Sequence, residues 1–472
     1  MQPGVSTMLK VQNLSVSYQE KPVFQDLNLE FRPGTVSVVT GLSGCGKTTF
    51  LKVLNGIIPE VQEAQLEGSA VCGSHDLLRE DMGTRSGYLS TVFQNPKTQF
   101  YCINSSDELA FGLENRNIPR EQILETIDSY TRLLKTEDLK DRDIFSMSGG
   151  EKQLLAITAV ACLDNEIYLF DEPSASLDRR AIRRFAEVLG ILKQKNKIVI
   201  LAEHRLYYLK ELLDQLIVLD QGRACCYTAD QVRQDYSSIQ SRHHLRSIQE
   251  ILRSDLPADR ITEIRLLGDG QVQNCTEDSI LQCRDFRCRY SDQILELSMD
   301  FAPGVYFIIG DNGVGKSTFV NRLCSLNKGK GSRYYDGQKF KAPYGRISAV
   351  MQDVNYQIFT ESCGEELGIV QQDEAVICRC LEEVSLLDKK EVHPQLLSGG
   401  EKQRLLIAKT RASGRPVVIL DEPTSGLDKL QMERMAQYLE QFRQEGKTVL
   451  VITHDYELIR ECQANILEFL RS

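Results

Sequence analysis

The chain has 472 residues and a formal net charge of −10, with 56 Lys and Arg against 66 Asp and Glu. At roughly 150 residues per domain there is room for two or three domains, and the acidic balance lacks the basic footprint of a nucleic-acid binder. With 42% hydrophobic and 26% charged residues the chain reads as ordinary and globular rather than disordered.

The apolar runs are short, such as Ile198 to Ala202 and Val305 to Ile309, and fall well below the ~20 residues of a membrane-spanning helix. Nothing in Met1 to Lys10 reads as a signal peptide. The 14 cysteines include no Cys-x-x-Cys pair, so zinc and iron–sulfur ligation are not expected. Free thiols in a reducing cytosol are.

In chain order, the β-branched run Val36 to Thr40 predicts a short strand. It leads into Gly41-Leu42-Ser43-Gly44-Cys45-Gly46-Lys47-Thr48-Thr49, and a helix is expected from about Gly46 to Asn55. A mostly helical insertion follows, then Met147-Ser148-Gly149-Gly150-Glu151-Lys152-Gln153. An apolar strand runs into Asp171-Glu172-Pro173, and a later one ends at Glu203-His204-Arg205. The segment from about Tyr227 to Asp278 has no counterpart motif and reads as a connector, with Arg242 to Arg246 expected on a solvated helix face.

The same series then recurs. The second glycine loop is Gly310-Asp311-Asn312-Gly313-Val314-Gly315-Lys316-Ser317-Thr318. After it come Leu397-Ser398-Gly399-Gly400-Glu401, Asp421-Glu422-Pro423 and Thr453-His454-Asp455. Ser148 and Glu172 are 24 residues apart, as are Ser398 and Glu422, and each Glu precedes its His by 32. Upstream the halves differ: Lys47 lies 101 residues before Ser148, and Lys316 only 82 before Ser398. The chain is one pattern written twice, with the front of the second copy trimmed. Alternating strands and helices predict an α/β core with its active groups at the carboxyl ends of strands.

These residues specify a chemistry. In a G-x-x-x-x-G-K-[ST] loop the backbone N–H groups and the helix start cradle phosphate. The lysine reaches the β- and γ-phosphates, and the hydroxyl of Thr48 or Ser317 faces Mg²⁺. Asp171 and Asp421 are placed to meet the Mg²⁺ shell, while Glu172 and Glu422 are placed to orient an attacking water. His204 and His454 are candidates to contact the γ-phosphate. The helix starts at Ser148-Gly149-Gly150 and Ser398-Gly399-Gly400 offer a second anion-binding surface. Cys45, beside a helix start, is either a reactive thiol of lowered pKa or a small filler.

The set strongly resembles the nucleotide-binding domains of ATP-binding cassette (ABC) proteins, over nearly the whole chain apart from the connector. The resemblance implies tandem P-loop NTPase domains, each with a RecA-like α/β core, an antiparallel β subdomain and a helical subdomain, spanning 1–226 and 279–472 around a connector at 227–278. It implies an ATP hydrolase using ATP and Mg²⁺, and an intramolecular head-to-tail pseudo-dimer that clamps two nucleotides. The first site is then Tyr18 (adenine stacking), Gly41 to Thr49, Gln94, Asp171, Glu172 and His204, opposite Ser398 to Gly400. The second is Tyr290, Gly310 to Thr318, Gln352, Asp421, Glu422 and His454, opposite Ser148 to Gly150. Gln94 and Gln352 join the metal and catalytic sets in the family's glutamine loop.

That loop reads FQNPKTQFY at 93–101 followed by DELAFGLEN at 107–115, and MQDVNYQIF at 351–359 followed by GEELGI at 364–369. In both halves a Glu lies 14 residues after the Gln. The first run is similar to the ATPase subunits of energy-coupling-factor (ECF) importers of vitamins and transition metals. It implies separate integral-membrane partners and a peripheral place on the cytoplasmic face of the membrane. The alternative is a soluble twin-cassette ATPase acting on ribosomes or nucleic acid. The acidic charge and the lack of zinc-cysteine or iron–sulfur insertions weigh against that alternative, and no direct nucleic-acid partner is expected.

Overall fold

The computed structural model of the chain describes residues 7–19, 21–175, 177–265, 280–290 and 293–470. They form two compact units, the first running to Glu250 and the second made from Ile251 onward except for Asp428–Leu430.

In the first unit a six-stranded sheet is ordered Arg223–Thr228, Gln215–Asp220, Thr35–Thr40, Ile198–Ala202, Ile167–Asp171 and Leu89–Val92. All neighbours are parallel except the Gln215–Asp220 and Arg223–Thr228 hairpin. The sheet strands are apolar on both faces, as buried parallel strands must be. Val36, Val38, Tyr168, Phe170, Val199 and Leu201 point into a core under the helices. Val39, Leu169, Ile198 and Ile200 point the other way, onto the glycine-loop helix and a four-stranded antiparallel sheet.

The second unit repeats this plan, with Val305, Phe307, Val418 and Val449 on one face and Ile308, Ile419 and Leu450 on the other. Its six-stranded sheet is wholly parallel, in the order Ile261–Arg265, Asn465–Leu470, Gly304–Ile309, Thr448–Ile452, Val417–Asp421 and Ile347–Val350.

The trimming of the second copy has definite locations. The helices Ser105–Glu114 and Arg120–Leu133 have 10 and 14 residues, whereas their counterparts Cys363–Gly368 and Glu374–Glu383 have 6 and 10. Each loses about one turn. The rest is lost before the edge strand, where the first unit carries the short helices Ile57–Glu60 and Met82–Arg85.

The segment read as a connector is divided between the two cores. Thr228 caps the helix Ala229–His243 in a box with Gln231, and Val232, Tyr236, Ile239, Leu245 and Ile248 join the first core. Ile251 and Leu256 join the second, and Ile261–Arg265 adds an edge strand parallel to Asn465–Leu470. The basic stretch is only in part a solvated helix face: Arg242, in the last turn, and His244, at the helix end, are exposed. His243 and Arg246 are buried, His243 between Asp220 Oδ2 at 3.0 Å and the Tyr227 hydroxyl at 2.9 Å. Leu245 and Ile248 draw the segment into the core, and its polar neighbours follow. Residues 266–278 of the expected connector lie outside the described ones.

Candidate functional site

Each glycine loop joins a buried strand end to a helix. Gly41 and Gly310 adopt φ of 142° and 136°, and a Cβ there would stand 2.3 Å from the Leu219 carbonyl oxygen or 2.4 Å from that of Phe469. Only glycine fits so close a backbone approach. The helices Lys47–Asn55 and Lys316–Leu323 start at left-handed Gly46 and Gly315 with no side-chain cap, so their first N–H groups face the loop, as a phosphate requires. Lys47 and Lys316 are both buried. Lys47 Nζ donates to the carbonyls of Gly41 (3.2 Å) and Leu42 (3.1 Å), and Lys316 Nζ to those of Gly310 (2.6 Å) and Asp311 (3.0 Å). The ammonium groups are held where a β- or γ-phosphate would meet them.

Thr48 Oγ1 donates to Asp171 Oδ1 at 3.0 Å. This hydroxyl–carboxylate pair, at the end of the strand Ile167–Asp171, is the oxygen-rich setting that Mg²⁺ prefers. Burial pushes the Asp171 carboxyl up, against Thr48 and Lys47, and pushes Asp421 up to about 6, against Lys316. Ser317 is exposed on the counterpart helix.

Glu172 and Glu422 share a left-handed backbone, φ 44° and 50°, which turns each side chain off the strand end. Glu172 Oε2 accepts from Gln94 Nε2 at 2.7 Å, and His204 Nε2 lies 3.5 Å from Oε1. Burial pushes the Glu172 carboxyl up to about 8; Lys47 opposes this, while Asp171 and Glu203 add to it. Burial, then Lys47 and Arg246, hold His204 well below its ordinary value, so the imidazole is neutral. In the second unit His454 Nε2 lies 3.6 Å from Glu422 Oε1 and 3.1 Å from Asn312 Oδ1. Gln352 is exposed and makes no hydrogen bond to Glu422 among the described residues.

The setting of Cys45 favours the filler over the reactive thiol. Burial pushes its pKa up and outweighs Lys47, whose Nζ is 3.8 Å from Sγ. Tyr18 ends the strand Leu9–Tyr18, half-buried against the core that backs the first loop. Tyr290 ends Leu281–Tyr290, and its side chain lies outside the described ones. Ser148 and Ser398 start the helices Gly149–Cys162 and Gly399–Ala412 in matching capping boxes with Glu151 and Glu401.

The motif reading gave no role to Gln99 and Gln357. Gln99 Oε1 accepts from Phe93 N–H (2.9 Å) and its Nε2 donates to Thr91 O (3.1 Å). Gln357 repeats this on Met351 N–H (2.7 Å) and Ala349 O (2.9 Å). Each amide staples its glutamine loop shut. The signal was present, since both residues lie five places after the loop Gln. Replacing Gln99 by Ala removes both bonds and is expected to lower loop protection in hydrogen exchange by about 1–3 kcal/mol.

A family model described as ABC transporter matches residues 24–175 and again 295–425. A Treponema denticola protein named as an ABC transporter ATP-binding protein is 34% identical, covering 98% of this chain and 95% of the relative. YkoD of Bacillus subtilis, named for HMP/thiamine import as an ATP-binding protein, is 29% identical over 98% of this chain and 89% of its own length. Among solved structures, a model of ribosome-bound archaeal Pelota and ABCE1 matches with a TM-score of 0.65 at 21% identity, over 97% of this chain and 78% of that one. That last likeness is one of fold.

Proposed function

The chain belongs to the ABC transporter family, whose ATP-binding proteins hydrolyse ATP, and from that premise we propose that it energises a membrane importer of the ECF type, taking up a vitamin or a transition metal. Each unit carries one hydrolytic set: Lys47, Thr48, Gln94, Asp171, Glu172 and His204 in the first, Lys316, Ser317, Gln352, Asp421, Glu422 and His454 in the second. Bound Mg²⁺ supplies charge neutralisation on the phosphates. Lys47 leaves the Gly41 and Leu42 carbonyls for phosphate oxygens. In its ionised form Glu172, steadied by Gln94 and His204, orients a water and takes its proton. The neutral imidazole of His204 offers one N–H toward the γ-phosphate without adding a second buried charge.

The observation that carries the importer reading is the paired glutamine-loop build. Beyond each Gln staple the chain turns on a buried glutamate: Glu108 accepts from the N–H groups of Tyr101 (3.0 Å) and Cys102 (2.9 Å), Glu366 from those of Phe359 (2.9 Å) and Thr360 (3.1 Å). These turns present Tyr101, 77% exposed, with Ile103 and Phe145 in the first unit, and Phe359, 75% exposed, with Tyr356 and Leu396 in the second. Large apolar side chains held out on stapled loops suit docking to a partner. The thiamine-related name of YkoD supports a vitamin as solute. No helix among the described residues is long and apolar enough to cross a membrane; in this reading the solute path belongs to integral-membrane subunits on other chains.

Affinity purification from detergent-solubilised membranes is expected to recover integral-membrane proteins in near-stoichiometric amounts. Tyr101→Asp with Phe359→Asp should cut that recovery about tenfold or more at an unchanged melting temperature, because a carboxylate cannot be desolvated in an apolar contact without several kcal/mol of cost. Sedimentation with ribosomes, and no membrane protein recovered, would replace this reading with the ribosomal one.

A further inference from the structure

The two units differ in the residue before the switch histidine. In the first it is Glu203, a carboxylate only 2% exposed. Its Oε1 accepts from the N–H groups of His204 (2.7 Å) and Arg205 (3.0 Å). Its Oε2 accepts from the Tyr208 hydroxyl (2.8 Å) and from Ser174 N–H (3.4 Å). Arg205 adds a second tie, Nη1 to the Ser174 carbonyl at 3.4 Å. Ser174 lies two residues past Glu172, so these bonds join the loop that carries the water-orienting carboxylate to the loop that carries the histidine.

The second unit has Thr453 at this place, whose hydroxyl accepts from Asp455 N–H within the same loop at 3.0 Å; there the two loops are joined by Glu422 itself, whose Oε2 accepts from His454 N–H at 3.4 Å. Because the second unit builds the same order of central parallel strands with Thr453 in this place, the fold does not require a buried carboxylate here. A buried charge is costly unless its acceptor capacity is filled, and at Glu203 four donors fill it. What those bonds fix is the spacing of two loops whose side chains meet at the reacting end of the site.

We propose that Glu203 is a positioning residue for ATP hydrolysis at the first site: its carboxylate ties the Glu172 loop to the His204 loop and holds the two side chains at their working separation before nucleotide arrives. The inference rests on the reading that Glu172 and His204 act on ATP. The bonds that Glu203 takes from His204 N–H and the Tyr208 hydroxyl are short, as charge-assisted bonds are. The two bonds that cross to Ser174 are longer, at 3.4 Å, and small displacements of reacting groups are expensive in rate. The first site is thereby set in advance through a residue other than the water-orienting one, whereas in the second the Glu422 carboxylate itself spans to the His454 N–H.

The test uses the full chain and steady-state phosphate release. Glu203→Thr, which installs the residue that the second unit uses, should bring turnover down to within about twofold of the Glu172→Gln variant with KM for ATP held near its original value, while the donors that Glu203 leaves unfilled lower the melting temperature without unfolding the chain. Glu203→Gln keeps an oxygen for the His204 and Arg205 N–H groups and should retain at least half of the turnover that Glu203→Thr loses. Unchanged turnover in Glu203→Thr overturns the inference. So does equal loss in both variants, and so does unfolding or a parallel fall in kcat, affinity and melting temperature, which would assign Glu203 to the fold. If His204→Ala turns over ATP normally, the first-site reading itself fails; if His204→Ala is slow and Glu203→Thr is not, only the role of Glu203 is lost.

Discussion

Changing both Glu172 and Glu422 to glutamine is expected to cut ATP turnover about 10²- to 10⁴-fold, the range for losing a positioned general base, while leaving nucleotide binding intact. Glutamine keeps the shape and can still accept from Gln94 and face His204, but it cannot take a proton from water. Glu172 sits where that loss is felt most: it directly follows a fully buried strand, turns out on a left-handed backbone, and has its two oxygens addressed by Gln94 and His204. Each single variant should remove a measurable share of turnover, because each unit carries its own Lys, Asp, Glu and His. The shares need not match. Both loop glutamines are exposed, but Gln94 is bonded to Glu172. A silent single variant, with all the activity lost in the other, would sink the two-site reading. Steady-state phosphate release with the four chains side by side decides it.

The phosphate loops, the strand-end acids and the histidines were legible in the sequence because their spacing is a physical requirement. A phosphate cradle needs glycine at Gly41 and Gly310, where backbone carbonyls leave no room for a Cβ, and the carboxylates must stand at the carboxyl end of a strand in the same parallel sheet. The edge strand Ile261–Arg265 was not legible. Its partner, Asn465–Leu470, is about two hundred residues away, and five residues of mixed polarity carry no local mark of that pairing. The burial of Arg246 was hidden for the same reason, since a basic run reads as solvated until Leu245 and Ile248 are known to enter a core. Glu203 and the staples Gln99 and Gln357 lay in plain view beside recognised motifs. Their roles depend on which backbone N–H groups fold back toward them, and composition is blind to that.

Replacing Glu366 by alanine should be the most damaging single change to the second unit. Glu366 is fully buried; it accepts from two loop N–H groups and from Thr360 Oγ1 at 2.8 Å, and it pairs with Lys409 Nζ at 2.5 Å. Removing it strands a largely buried ammonium and two amide donors, a loss of about 3–5 kcal/mol. At about 2–4 °C per kcal/mol for a domain of this size, melting of the second unit should fall by roughly 6–20 °C. In the first unit Ala159 occupies the place of Lys409, so Glu108→Ala abandons N–H donors alone and should cost about 1–3 kcal/mol. Changing Lys409 to Met alongside Glu366→Ala removes the stranded charge and should restore part of the loss, a coupling that a double-mutant cycle measures. Acid should imitate the single variant. Burial raises the Glu366 pKa, but the bonds from Lys409, Phe359 and Thr360 outweigh it and hold the carboxyl below its ordinary value of 4.5. Its stabilising contribution is therefore complete above about pH 4.5 and is lost as pH falls through the lower folded value. A Glu366→Ala chain that melts within 2 °C of the original, or one whose acid sensitivity below pH 4.5 equals that of the intact chain, would remove Glu366 from the support of the docking loop.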